Sequence, residues 1–109
     1  MKNLLLLITF FLLSFTAKAQ IKVIHFNASW NEANQVEWAP KLKEGDIEFV
    51  DIASSPQIAK EFGVVVVPTI IIFEYDEEVK RFQADLSFKL SATKEEVQNY
   101  IDELVLGDF

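Results

Sequence analysis

One histidine and no cysteine occur in 109 residues, and together they bound the chemistry open to this chain. Without a thiolate there is no sulfur nucleophile, no zinc–thiolate site and no iron–sulfur cluster. His25 is the one side chain whose ordinary pKa lies near neutrality, which would suit a pH switch or a general base. It has no nucleophile or second metal ligand to work with. The plainer expectation is a core or rim imidazole satisfied by a hydrogen bond. Asn27-Ala28-Ser29 fits the glycosylation pattern but stands at the end of an expected strand. Asp76-Glu77-Glu78 would attract a cation or simply form a solvated acidic turn. Gly45, Gly63 and Gly107 make no phosphate-cradling loop, and scattered acids make no paired-carboxylate site. No catalytic residue, metal ligand or cofactor is assigned.

The elements that would position these groups are organised around Val64 to Phe73, an apolar, β-branched run interrupted once, by Pro68. Such a run cannot alternate inside and outside, so it reads as a strand buried on both faces. Proline has no N–H for a ladder, which places the strand start at Thr69 or Ile70 and makes Val67-Pro68 the corner before it. Upstream, Ile21–Asn27 reads as another buried strand, 31–43 as a helix shortened or kinked by Pro40, and 47–52 as a third strand. Gly45-Asp46 ends that helix. Ser54-Ser55-Pro56 opens a second helix with a serine cap, and Gly63 closes it in a left-handed conformation. Asp76-Glu77 is a polar turn into a returning strand over 78–84, which continues or resumes within 85–92. Thr93-Lys94-Glu95-Glu96 matches a capping box, and Val97, Tyr100, Ile101 and Leu104 recur at helical spacing behind it. The order β-α-β-α-β-β-α predicts an α/β fold: a four-stranded mixed sheet with helices on both faces.

The first residues are set apart from this domain. Lys2, the apolar run Leu4 to Phe15 and Ala17-Lys18-Ala19 have the layout of a secretory signal peptide cleaved after Ala19. The run is shorter than the roughly 20 residues a membrane span requires. This reading divides the chain into a leader, 1–19, and one domain, 20–109, and predicts export to a periplasmic or extracellular space with no span left after cleavage. From Gln20 onward 8 basic side chains face 17 acidic ones, a net charge of −9. Such a surface repels nucleic acid and favours basic partners. With no disulfide to staple it, the domain depends on a core of Trp30, Trp38, phenylalanines and aliphatic residues.

Trp30-Asn31-Glu32-Ala33-Asn34 at the first helix start, Asp51 through Val64, and Val67-Pro68-Thr69 before the central strand together resemble the thioredoxin family, over essentially the whole segment from Gln20. The resemblance implies a thioredoxin-like fold in a minimal version, without the N-terminal strand and helix, and a cis bond between Val67 and Pro68. Where members carry Cys-x-x-Cys, this chain has Asn31 and Asn34, so Trp30, Asn31, Glu32, Ala33 and Asn34 form a degenerate active-site motif. Thiol–disulfide exchange needs an attacking thiolate and a resolving thiol, and carboxamides supply neither. His25 falls where many members bury an acid, and Pro40 sits one position later than the family's helix proline.

In the family, the residue before the cis-proline offers its backbone to an extended peptide, a contact that needs no sulfur. The implied peptide-binding residues are therefore Trp30, Val67 and Pro68, and the expected function is a redox-inactive protein that binds a polypeptide partner. Two other readings stand beside it: an enzyme with non-thiol chemistry around His25, Glu32 and the asparagines, and a structural accessory subunit that uses its acidic surface.

Overall fold

The sheet is built outward from a strand in which Thr69 to Phe73 are all buried. The computed structural model describes residues 20–107, so the leader expected over 1–19 lies outside the described residues. Strands β1 (Ile21–Asn27), β2 (Asp46–Asp51), β3 (Thr69–Glu74) and β4 (Glu77–Gln83) form a mixed sheet in the order β2-β1-β3-β4. β1 and β2 run parallel, while the β1–β3 and β3–β4 pairs are antiparallel. Helix α1 (Pro56–Glu61) covers one face and α2 (Lys94–Gly107) the other. Strand alternation sends Val23, Ile70 and Ile72 against Val97 and Ile101 of α2, and Ile24, Phe26, Ile71 and Phe73 against Ala59 and Phe62. This is the α/β, thioredoxin-like architecture expected from the sequence. Among the described residues no helix is long and apolar enough to cross a membrane.

The first helix is the main departure. In place of one helix over 31–43 there are two short 3-10 segments, Ser29–Asn34 and Ala39–Lys41. Asn31 itself is non-helical, at φ −113° and ψ 23°. Pro40 would clash with the carbonyl four residues back in an α-helix, and the asparagine side chains bond to one another and to backbone groups instead of letting the turn propagate. The left-handed residue before β2 is Glu44, at φ 69°, and not Gly45. Gly45 packs closely on β1: a Cβ there would stand 3.2 Å from the Ile21 Cγ2, which would have to shift slightly.

Other local features differ from expectation in detail. Ser55 occupies the cap position of α1 without a side-chain cap bond, and the Ser54 hydroxyl donates to the Asp51 carbonyl instead. The C-terminal end follows expectation: Gly63 has φ 63°. Its N–H donates to the Lys60 carbonyl and that of Val64 to the Ala59 carbonyl, the paired bonds of a Schellman ending. The β3–β4 turn is Tyr75-Asp76, one residue earlier than expected, with both residues at positive φ (51° and 67°) as a two-residue primed turn requires. Residues 85–92 do not extend β4. The Asp85 carboxylate accepts the Ser87 N–H at 2.8 Å and turns the chain back on itself, with Phe88 left-handed at φ 64°. The capping box of α2 is half formed, the Glu96 N–H donating to the Thr93 hydroxyl at 3.2 Å.

Ile101 is fully buried at the junction of α2 with β3. Ile101→Ala should therefore cost about 2–5 kcal/mol, read as a lower urea midpoint at unchanged slope. A change within measurement error would show that α2 is not part of the cooperative core.

Candidate functional site

β1 ends in Asn27, fully buried, and the chain turns at once into the 3-10 segment that carries Trp30 to Asn34. The Asn31 N–H closes this turn on the Ala28 carbonyl at 2.8 Å. The turn brings the Asn31 carboxamide inward. Its Nδ2 lies 3.1 Å from Asn27 Oδ1, 3.4 Å from the Val67 carbonyl and 3.1 Å from the Phe88 carbonyl. Its Oδ1 accepts Asn34 Nδ2 at 2.9 Å. Asn27 Nδ2 in turn donates to the Asn31 carbonyl at 3.2 Å and to Gln35 Oε1 at 2.6 Å. One buried carboxamide thus joins the strand end, the 3-10 turn, the proline corner and the 85–89 loop. Buried amides are costly to leave unpaired, and this one is used at both ends.

The Val67–Pro68 peptide bond is cis. Thr69 Oγ1 donates to the Val66 carbonyl at 2.6 Å and the Ala84 N–H to that of Pro68 at 3.0 Å, which fixes the corner between β3 and β4. The Val67 and Pro68 side chains are buried, whereas Trp30 is 62% exposed. The Trp30 ring meets Phe88 edge-on, with centroids 5.3 Å apart. Among the described residues no acceptor is paired with the Val67 N–H. Asn31 and Asn34 therefore adjoin the corner, Trp30 rims it through Phe88, and Glu32 and Ala33 face solvent.

Phe88, Asn27 and Gln35 escaped attention as site residues in the sequence. Four carboxamides at 27, 31, 34 and 35 were the available signal for the last two. Both ends of the Asn27 side chain are engaged in the interior, so the folded protein presents no free amide there for a glycan. Of the acidic triplet 76–78, Glu78 pairs with Arg81 at 2.8 Å, and that guanidinium also caps the Phe62 and Gly63 carbonyls. The hydrogen bond to Arg81 holds the Glu78 carboxyl below its ordinary pKa. Among the described residues no group of three His, Asp or Glu is placed to hold a metal ion.

His25 points into the α2-side core. It is 2% exposed, edge-on to Phe49 at 5.2 Å, and its Nε2 has no hydrogen-bond partner. The expected hydrogen bond at that nitrogen is absent. Burial strips solvent from the imidazolium and lowers the pKa from 6.5 to about 4. The unfolded chain therefore binds a proton that the folded chain refuses within that window. Stability should fall as pH drops from about 6.5 and level off below about 4, a total of roughly 3 kcal/mol. His25→Leu removes the titration, so its stability advantage over the parent should grow between about pH 7 and pH 4.5. Parallel stability–pH curves for the two proteins would dismiss His25 as the cause.

Asn31→Ala should destabilise by about 1–3 kcal/mol, because it strands the Val67 and Phe88 carbonyls. Asn31→Asp should be worse, since it sets a carboxylate against those same oxygens. Amide exchange of residues 85–89 should quicken in both variants. Unchanged exchange there would show that the carboxamide does not hold the loop.

No protein-family model matches the chain. Among curated proteins, Thioredoxin H2 of Arabidopsis thaliana is 26% identical over 91 residues, which cover 78% of this chain and 63% of that protein. The chain thus spans less than two thirds of that relative's length. Among solved structures, a mutant thioredoxin from Halobacterium salinarum superposes with a TM-score of 0.64 at 18% identity, covering 79% of this chain and 75% of its own. Thioredoxin 1 of Thermosipho africanus gives 0.61 at 24% identity, with 80% and 97% covered. Fasciola hepatica thioredoxin gives 0.57 at 25% identity, with 79% and 82% covered. The fold is thioredoxin-like, the sequence is similar to that of a thioredoxin, and the chain has no cysteine.

Proposed function

We propose that this chain is an exported, redox-inactive thioredoxin-like protein that binds an extended segment of another polypeptide across Trp30 and the Val67–Pro68 corner. The observation that carries the reading is the asparagine pair. Asn31 and Asn34 are bonded to each other at 2.9 Å, and Asn31 reaches the corner carbonyl at 3.4 Å. The turn and the corner are thereby kept together by groups that cannot exchange electrons. Recognition is the activity that such a surface retains. Trp30 and Phe88 present an exposed aromatic pair of the kind that anchors interfaces. The Val67 N–H, unpaired among the described residues, supplies a donor for a passing main chain. Export rests on the leader pattern over residues 1–19.

The enzyme reading centred on His25 has less support. The imidazole is buried, only 2% exposed, and is not among the residues that line the cleft beside Phe49 and Glu32.

The test is capture of partners from the exported fraction. Trp30→Ala and Phe88→Ser should each lose the partners that the parent retains, with far-UV circular dichroism unchanged. If both folded variants keep every partner, the corner is not the binding face. Val67→Asp is unsuitable, because it would bury a carboxylate at a position only 1% exposed.

A further inference from the structure

The two edges of the sheet differ in kind. β4 is a guarded edge: its pairing with β3 is broken by a register shift at Ile72/Phe73, and it carries Lys80 and Arg81. The Tyr100 hydroxyl also donates to the Val79 carbonyl. β2 has no such break, and the charges it carries, Asp46, Glu48 and Asp51, are all acidic. It pairs with β1 in unbroken register from Lys22↔Asp46 to Asn27↔Asp51, and among the described residues no strand lies on its other side.

The Ile52 N–H donates to the Asn27 carbonyl at 2.9 Å, so the even-numbered residues of this segment face β1. The odd-numbered ones face away. The Asp51 carbonyl is taken by the N–H groups of Ser54 and Ser55. The N–H and C=O of Ile47 and Phe49 are left as open ladder positions.

The side chains beside that edge specify what would suit it. Phe49 is 53% exposed. It forms one wall of a cleft of about 450 Å³ shared with Glu32, Glu37, Gln35 and Asp51. Alternation puts Phe49 and Asp51 on the same face, and a strand added to β2 would project every second side chain over that cleft. A second copy of this chain is a poor occupant. Its β2 would bring Asp46, Glu48 and Asp51 against the same three acids, in a domain of net charge −9. Charge complementarity selects the opposite kind of strand.

We propose that the open edge of β2, with the Phe49 cleft beside it, is a second polypeptide-binding site that adds a basic, extended partner segment to the sheet as a fifth strand. A lysine or arginine of that segment lies with its stem on the Phe49 ring and its charged head among the carboxylates of Glu32, Glu37 and Asp51. Partner residues of small or β-branched type fill the alternate positions. This site is separate from the Trp30 corner and does not depend on it.

The test uses the full chain and two synthetic peptides, one alternating lysine with valine and one alternating glutamate with valine. Hydrogen exchange at the Ile47 and Phe49 amides should be fast in the free protein and slowed by the lysine peptide alone, with Glu48 unaffected. Glu32→Gln combined with Glu37→Gln, both at exposed positions, should weaken that binding about tenfold and reduce its salt dependence. Trp30→Ala should leave it unchanged, which separates this site from the corner. Several results would overturn the proposal: protected Ile47 and Phe49 amides in the free chain, equal binding of the two peptides, or full affinity in the double variant. A concentration-dependent dimer that protects those two amides would overturn it too, in favour of a second copy.

Discussion

Five successive buried side chains in β3 cannot be covered from one side. Alternation divides Thr69 to Phe73 between two cores, so the chain must supply covering elements above and below the same strand. One core is closed by α2 through Val97 and Ile101, the other by α1 through Ala59 with Phe62 beside it. That demand also explains why so short a helix as α1 survives. Its last carbonyls are satisfied by the Gly63–Val64 ending and by Arg81 reaching across from β4. The ends of β1 and β3 then meet on one side of the sheet, where Asn27 and the cis-proline corner come together.

At that meeting point hydrogen bonds do the joining. A carboxamide has two donor hydrogens and an acceptor oxygen, and Asn31 spends all of this capacity on groups from four separate segments. A pair of thiols in the same place would be small, weakly hydrogen-bonding and free to react. The asparagine pair exchanges that reactivity for connectivity. It also draws the 85–89 loop over the site through the Phe88 carbonyl, and the Phe88 ring then meets Trp30.

This division between global pattern and local chemistry decides what could be read in the sequence. The buried strand from Thr69, the corner at Pro68 and the helix closed by Gly63 were legible, because burial on two faces and left-handed backbone leave strong residue signatures, whereas the valines before the corner lie outside the strand and Val65 is exposed. The first helix was misread for a physical reason. Apolar spacing over 31–43 is helical, yet the asparagines satisfy one another and the local backbone more readily than they extend a turn that Pro40 would stop. Residues 85–92 alternate like a strand, and one carboxylate, Asp85, overrides that alternation by taking backbone donors. Trp30, Asn31, Val67 and Pro68 were gathered as a group by resemblance. Phe88 was missed, because its role comes from a main-chain carbonyl that no side-chain pattern reports.

The orphaned nitrogen of His25 belongs to the same logic. A neutral imidazole inside an apolar core is tolerated at neutral pH because its proton is easily forgone, whereas a lysine or arginine there would need a counterion. Its neighbour Phe49 stands on β2, half in the core contact and half in solvent. One ring therefore touches both the imidazole whose Nε2 has no partner among the described residues and the open edge of the sheet. A fifth strand laid along β2 would cover Phe49, the ring that packs edge-on against His25. Burial is what lowers the His25 pKa, and the Phe49 ring is part of what buries it. The open edge and the buried imidazole are linked through this one aromatic side chain.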